Sequence, residues 1–189
     1  MKNFYRMRVY PKSYHGGDRI GIYLFADNLK TEEIKKIVED NDLLKTAFVS
    51  ASDSADIKIE LINNLSDDKY CGNTIVSALS LLRDLNYISK GLIFYEFSGE
   101  IQPAIIQDDM IFIEYRQPIF YDYISDDEIN LCFNSINFNK KFKAQIIKTH
   151  HRDLILPIDS IDSLNDLMPI DAEISKLSEK YNFKSVHAF

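Results

Sequence analysis

The residues with the clearest capacity for chemistry stand together at Tyr70-Cys71-Gly72-Asn73-Thr74. They open a run, Cys71 to Leu85 (CGNTIVSALSLLRDL), in which Ile75, Ala78, Leu79, Leu82 and Leu85 form one helical stripe. Val76 and Leu81 lie elsewhere around the same helix, and no charge occurs between Asn73 and Arg83. A helix that is apolar on most sides, yet too short for a bilayer, is a buried one. Its first turn leaves backbone N–H groups without intrahelical partners, which makes an anion site, and Gly72 allows a ligand close to the backbone. A thiol at such a helix start has its pKa lowered, so Cys71 reads as a base or nucleophile. The same residues also fit a small hydrophobe at a helix cap, with Asn73 as a capping side chain. Residue types alone leave both readings open.

Other candidates carry less. His150-His151-x-Asp153 offers metal-ligating types, but adjacent histidines point apart on a strand and no third ligand is placed, so a surface loop and no metal are expected. Asp67-Asp68 and Asp126-Asp127 read as turn and helix-start residues. Cys132 falls on a core stripe. The 12 Phe and 11 Tyr are spread through the strand-like segments and read as core, not as a base-stacking platform. P-loop, Gly-x-Gly-x-x-Gly and nucleophile-elbow motifs are absent, which argues against a nucleotide cofactor.

Strands are expected at Phe4–Tyr10, Ile20–Ala26, Thr46–Ala51 and Asp56–Ile62, with a turn at His15-Gly16-Gly17-Asp18. Thr31 is placed as the N-cap of a one-sided helix carrying Ile34, Ile37 and Val38 and ending near Asn41. A meander over Gly91–Phe97, Glu100–Ile106 and Met110–Tyr115 follows the buried helix, with Pro103 marking an edge or a bulge. Ser125 and Glu128 form a capping box ahead of Ile129, Cys132, Phe133 and Ile136. Strands at Ala144–Lys148 and Leu154–Ile158, a helix over Ile170–Tyr181 and a strand-like Phe183–Phe189 complete the chain.

These elements belong to 189 residues with 22 Lys and Arg against 29 Asp and Glu, a net charge of −7. An acidic balance argues against a general nucleic-acid binder. Hydrophobic residues at 46% and charged residues at 27% are ordinary for a folded domain. A chain of this size buries roughly 70% of its unfolded surface. No apolar run spans a membrane, the alternating start MKNFYRMRVYPK is no signal core, and two cysteines make no disulfide framework, so a cytoplasmic protein is expected. Strand runs around one buried helix predict a single α+β domain with a curved sheet rolled around that helix.

In their order, these blocks resemble the phenazine-biosynthesis PhzF-like proteins of the wider diaminopimelate epimerase-like group. GGDRIGIYLFADNL is similar to the family's Gly-Asn-Pro-x-x-Val-x-Leu-x-Ala-x-x-Leu block. IKKIVEDNDLLKTAFV resembles its helix followed by Leu-Ser-Glu-Thr-x-Phe-Val, and CGNTIVSALSLL its Gly-His or Cys-Gly-Asn helix start. LMPIDAEISKLSEKYNFKSVHAF resembles its Leu-x-Pro-x-x-x-x-Leu segment. The resemblance implies a diaminopimelate epimerase-like roll, a mixed curved sheet or barrel around a central buried helix, with two such halves enclosing the active site. It further implies cofactor-independent proton transfer on a small acid by an isomerase, epimerase or racemase.

Matched position by position, the family's acid/base Glu falls on Lys45, its Gly-Asn-Pro on Gly17, Asp18 and Arg19, and its Gly-His on Gly72 and Asn73. The catalytic Cys of the thiol-using epimerases falls on Cys71. The resemblance therefore implies Cys71 and Lys45 as catalytic residues, and Gly17, Asp18, Arg19, Gly72 and Asn73 as contacts to a carboxylate-bearing molecule. A lysine with an ordinary pKa of about 10.4 is protonated at neutral pH and acts as a base only when desolvated. By the same resemblance, residues 1–182 form the family's N-terminal domain and 183–189 a crossover strand toward a second domain lying beyond this sequence. A homodimer mate or a separately encoded half would then complete the site. The alternatives are a non-catalytic anion-binding or structural remnant, in which Arg19 and Lys45 recast the pocket, and a truncated product of a longer ancestor.

Overall fold

The computed structural model describes residues 3–9, 17–63, 70–134, 139 and 141–189. By its internal contacts the chain divides into two compact units, Met1–Glu114 and Tyr115–Phe189. The family resemblance groups residues 1–182 as one N-terminal domain. Only 114–118 separates the flanking strands, and this short stretch has no linker composition to mark a boundary.

In the first unit, β1 (Phe4–Val9), β2 (Asp18–Leu24), β3 (Lys45–Ser50), β4 (Ile57–Asn63), β5 (Gly91–Phe97), β6 (Glu100–Ile106) and β7 (Ile111–Ile113) form one sheet in sequence order. The β2–β3 and β4–β5 pairs are parallel and the others antiparallel. Helix α1 (Thr31–Asn41) connects the first parallel pair and α2 (Gly72–Asp84) the second. Because β2 and β3 run opposite to β4 and β5, a right-handed crossover in each pair puts the two helices on opposite faces. The packing agrees. Ile75, Ala78, Leu79, Leu81 and Leu82 of α2 join Ile20, Ile22, Leu24, Ala47, Val49, Ile59, Ile93, Tyr95 and Phe97 in one core. Ile37 and Val38 of α1 meet Phe48, Phe4, Tyr23 and Ile62 on the other side.

The expected buried helix is therefore found within one residue of its predicted bounds, with Ile75, Ala78 and Leu79 fully inaccessible. Lys30, not Thr31, is the N-cap of α1, and its backbone N–H donates to Glu33 Oε2 at 2.8 Å. The carboxylate at the third helical position satisfies the N-cap's own N–H, the backward-reaching half of a capping box.

The second unit holds β8 (Ile119–Tyr123), α3 (Asp126–Cys132), β9 (Phe133–Asn134), β10 (Gln145–Lys148), β11 (Arg152–Leu156), α4 (Ile161–Asn165), β12 (Met168–Pro169), α5 (Asp171–Tyr181) and β13 (Ser185–Ala188). Its main sheet has the order β13-β11-β10-β8, and β12 pairs with β9. Ile129, Cys132, Ile146, Leu154, Leu156, Leu177 and Phe183 are buried together in its core. The Ser125–Glu128 cap is present: Glu128 N–H donates to Ser125 Oγ at 3.4 Å. Phe133, expected on the helix, belongs to β9, while Ile136 lies outside the described residues. β13 is integrated into this sheet by parallel pairing with β11, from Asp153↔Ser185 to Leu156↔Ala188.

Candidate functional site

The start of α2 is built by strands that begin beside it. Cys71 is the N-cap, extended at φ −150°, and its carbonyl accepts from Thr74 N–H at 3.0 Å and Ile75 N–H at 3.2 Å. Among the described residues no side chain caps this helix, so its leading amides keep their capacity to bind an anion. A Cβ placed on Gly72 would meet Ile113 Cδ1 at 3.5 Å and Tyr70 Oη at 3.9 Å, ordinary contacts. Internal packing thus gives no reason for glycine here. Tyr70 closes the flank with its ring edge-on to Phe97, 5.9 Å between centroids.

Alternation along β2 and β3 carries two polar side chains to this place. Asp18 shares a face with Ile20, Ile22 and Leu24, and Lys45 with Ala47 and Val49, the residues that line α2. Ile20 pairs with Lys45 across the parallel strands, which sets Asp18 one step along the same face. Lys45 Nζ donates to Asp18 Oδ2 at 3.3 Å, and Asn73 Nδ2 donates to the same oxygen at 3.4 Å. One carboxylate oxygen therefore joins β2, β3 and the first turn of α2. Lys45 is the more buried end of the ion pair, its side chain 22% exposed against 49% for Asp18. Just ahead of β2, Gly17 takes φ +79°, a value only glycine adopts without strain. His15 and Gly16 of the expected turn, like Asp67 and Asp68, lie outside the described residues.

Asp18, Lys45 and Asn73 are thus joined, with Gly72 and the half-buried thiol of Cys71 adjacent in the chain. Arg19 is elsewhere. Strand alternation turns it to the α1 face, where it lines a groove of about 410 Å³ with Arg6, Arg8, Asp40, Asn41 and Asp42. Matching a motif residue by residue ignores the pleat, so neighbours such as Asp18 and Arg19 end on opposite faces. Thr74, which stands in the Tyr70–Thr74 run with no role assigned to it from the sequence, has its Oγ1 fully buried and without a partner among the described residues. Its place four residues before Ala78, on the apolar side of the helix, was the available signal.

In the second unit Cys132 is buried, which pushes its thiol up, with the charges of Glu173 and Glu128 adding to the effect. Asp153 sits 9% exposed, accepting from Ser185 Oγ at 2.5 Å. His151 Nε2 lies 3.7 Å from Asp153 Oδ1 and His187 Nε2 3.9 Å from Oδ2. The His151-x-Asp153 spacing is visible in the sequence, whereas Ser185 and His187 join the cluster only through the β11–β13 register.

Residues 7–188 match the family described as phenazine biosynthesis-like protein, PhzC-PhzF. The chain belongs to this family. Among curated proteins it is similar to an uncharacterized isomerase of Clostridium acetobutylicum, 24% identical over 99% of this chain and 66% of the relative. It is also similar to the uncharacterized isomerase YfhB of Bacillus subtilis, 20% identical over 97% of this chain and 66% of that protein. The chain therefore spans about two thirds of the length of these relatives. The crystal structure of a PhzF-family phenazine biosynthesis protein from Bacillus anthracis superposes with a TM-score of 0.83, covering 99% of this chain and 67% of that one at 21% identity. A predicted epimerase from Pseudomonas aeruginosa gives 0.74 at 11% identity, covering 99% and 69%. The expected α+β roll is the family's fold, and no helix among the described residues is long and apolar enough to cross a membrane.

Proposed function

We propose that this chain is an isomerase- or epimerase-type member of the family that moves a proton, without a cofactor, on a small carboxylic acid held at the start of α2. One observation carries the reading: Lys45 and Asn73 converge on a single carboxylate oxygen at the uncapped end of a buried helix. That is the donor set a substrate carboxylate requires, and the names of the curated relatives as isomerases support it. In this reading the Gly72 and Asn73 amides and the Lys45 ammonium bind the carboxylate. Asp18, turned by Gly17, positions Lys45 and Asn73. Cys71 serves as the base that takes the proton from the carbon next to the carboxylate. The carbanion is reprotonated by an acid from a second half-site, contributed by a dimer mate or a separately encoded chain.

The test is solvent-deuterium incorporation into a panel of small amino and hydroxy acids. The wild type should exchange at the carbon beside the carboxylate, and Cys71→Ala should lose about 10²- to 10⁴-fold in rate. Lys45→Ala should weaken binding of the same acids.

A second reading, a non-catalytic anion-binding remnant, is favoured by the ion pair itself. A lysine committed to Asp18 serves as fixed charge and not as a base. Under that reading small carboxylates bind and no label is incorporated.

A further inference from the structure

The α1 face of the first unit carries a charged groove that the site at α2 does not use. On β1 the alternation that turns Tyr5, Met7 and Val9 toward α2 turns Phe4, Arg6 and Arg8 the other way. The antiparallel register sets Arg8 directly opposite Arg19 of β2, with Arg6 diagonal to Arg19 and opposite Gly21. Like charges directly opposite on a sheet repel, so three guanidiniums on one face call for anionic company. The end of α1 faces them with the other sign. Its last turn holds no basic residue and runs through Asp40 and Asn41 to the cap Asp42, where the helix also carries partial negative charge. Asn41 Nδ2 donates to the Ile37 carbonyl at 2.7 Å, and its Oδ1 accepts from Arg6 Nη2 at 3.1 Å. Arg6 and Arg19 make no ion pair with Asp40 or Asp42 among the described residues, although all four line one groove of about 410 Å³. Both signs of charge thus face one space.

We propose that this groove binds a small zwitterion, its carboxylate on the arginines and its ammonium at the C-terminal end of α1. The volume falls within the range of small-molecule sites. Guanidinium forks match a carboxylate in shape, and Arg6, held by Asn41 at one N–H, keeps its other donors for a ligand. Charge decides the class. Three arginines and two aspartates line the space, so a nucleic acid or any simple anion meets Asp40 and Asp42 as well as the cations. A simple cation meets the arginines. A molecule carrying both charges satisfies both sides. Its carboxylate offsets the opposition of Arg8 and Arg19, and its ammonium lies where two carboxylates and the helix carbonyls favour a cation. The groove stands on the opposite face of the sheet from Asp18 and Lys45, since Arg19 is one step from Asp18 along β2. The proposal therefore holds whether or not the site at α2 turns over a substrate.

The test is an amide-resonance titration of the whole chain with glycine, β-alanine and γ-aminobutyrate at fixed ionic strength. Asn41 and Asp42 report this groove and Gly72 reports the start of α2, so binding at the two places is told apart. At least one of the three acids should shift Asn41 and Asp42 and saturate in the millimolar range. Arg19→Gln should weaken that binding about tenfold, and so should N-acetylation of the ligand's amine. In the double variant Asp40→Asn, Asp42→Asn the zwitterion should bind less tightly and its N-acetylated form more tightly, a reversal of sign. All three replaced side chains are exposed, and Asn tolerates the left-handed backbone at position 42, so the fold should be kept. Arg19→Gln removes a like-charge opposition and should melt no lower than wild type. The proposal is overturned if none of the three acids shifts Asn41 and Asp42, or if their binding is indifferent to Arg19→Gln. An N-acetylated acid that binds as tightly as its parent also overturns it, leaving a groove for plain anions.

Discussion

Replacing Asp18 by Asn removes one negative charge from the mouth of α2 while preserving the side chain's shape and one acceptor. Its effects on folding and on ligand binding should differ in size and in sign. Asp18 is half exposed and its bonds to Lys45 and Asn73 are long, at 3.3 and 3.4 Å. Exposed ion pairs contribute about 0.2–1 kcal/mol, so the loss of stability should stay near or below about 1 kcal/mol. An anion on the Gly72 and Asn73 amides would share the helix start with Asp18, whose Oδ2 is 3.4 Å from Asn73 Nδ2, so a separation of about 5 Å is taken for the charges. At that separation the repulsion is about 0.8 kcal/mol at a dielectric constant of 80 and about 3.3 kcal/mol at 20. Screening by physiological salt, with a Debye length of about 8 Å, roughly halves these values. Removing about 1 kcal/mol of repulsion tightens anion binding about fivefold. The assay is a titration of small carboxylates at fixed ionic strength, followed by the amide resonances of Gly72 and Asn73, with urea unfolding run in parallel. Binding that is unchanged or weakened in Asp18→Asn would refute the assignment of these amides and Lys45 as an anion site. A stability loss above about 3 kcal/mol would show instead that Asp18 is a structural keystone.

Two further outcomes test the scaffold. Gly21→Ala should destabilise by about 1–3 kcal/mol in chemical denaturation, because its Cβ would stand 2.8 Å from Phe4 Cζ and 3.0 Å from both Leu43 Cδ1 and Thr46 Oγ1; a neutral substitution would mean the β1–β2 packing is looser than described. In the second unit, hydrogen bonds from Lys180, Ser125 and Tyr181 hold the Glu128 carboxyl down at about 2, below its ordinary value of about 4.3. Its contribution is therefore full above about pH 4.5 and fades as the pH falls toward 2. Discounted for solvent screening it is about 1 kcal/mol, so Glu128→Gln should unfold more easily than wild type at pH 7, with the gap closing below pH 4. A gap independent of pH would assign the effect to packing and not to charge.

Much of the first unit is legible along the chain because its cues are local. The strands of the β5–β6 hairpin fall at their predicted bounds, since alternation and the Ser98-Gly99 turn fix both ends. Helix α2 is found as a buried rod because a run without charge between Asn73 and Arg83 has no face to offer water. β8 was not foreseen, because four of the five residues of Ile119–Tyr123 stay exposed and leave no in-and-out pattern to read. The short β9, α4 and β12 lack the length for any period to show.

Sequence by itself determined which residue types stand at the mouth of α2, and that this helix must be covered. Only the tertiary structure decided which of those residues meet. Asp18, Lys45 and Asn73, far apart in the chain, share one oxygen because a parallel register and a crossover bring them to one face, while Arg19 is turned to the other. The Asp153, Ser185 and His187 grouping likewise exists only through the pairing of β11 with β13. Periodicity is set between neighbours a few residues apart, whereas register and crossover are settled by how whole faces pack.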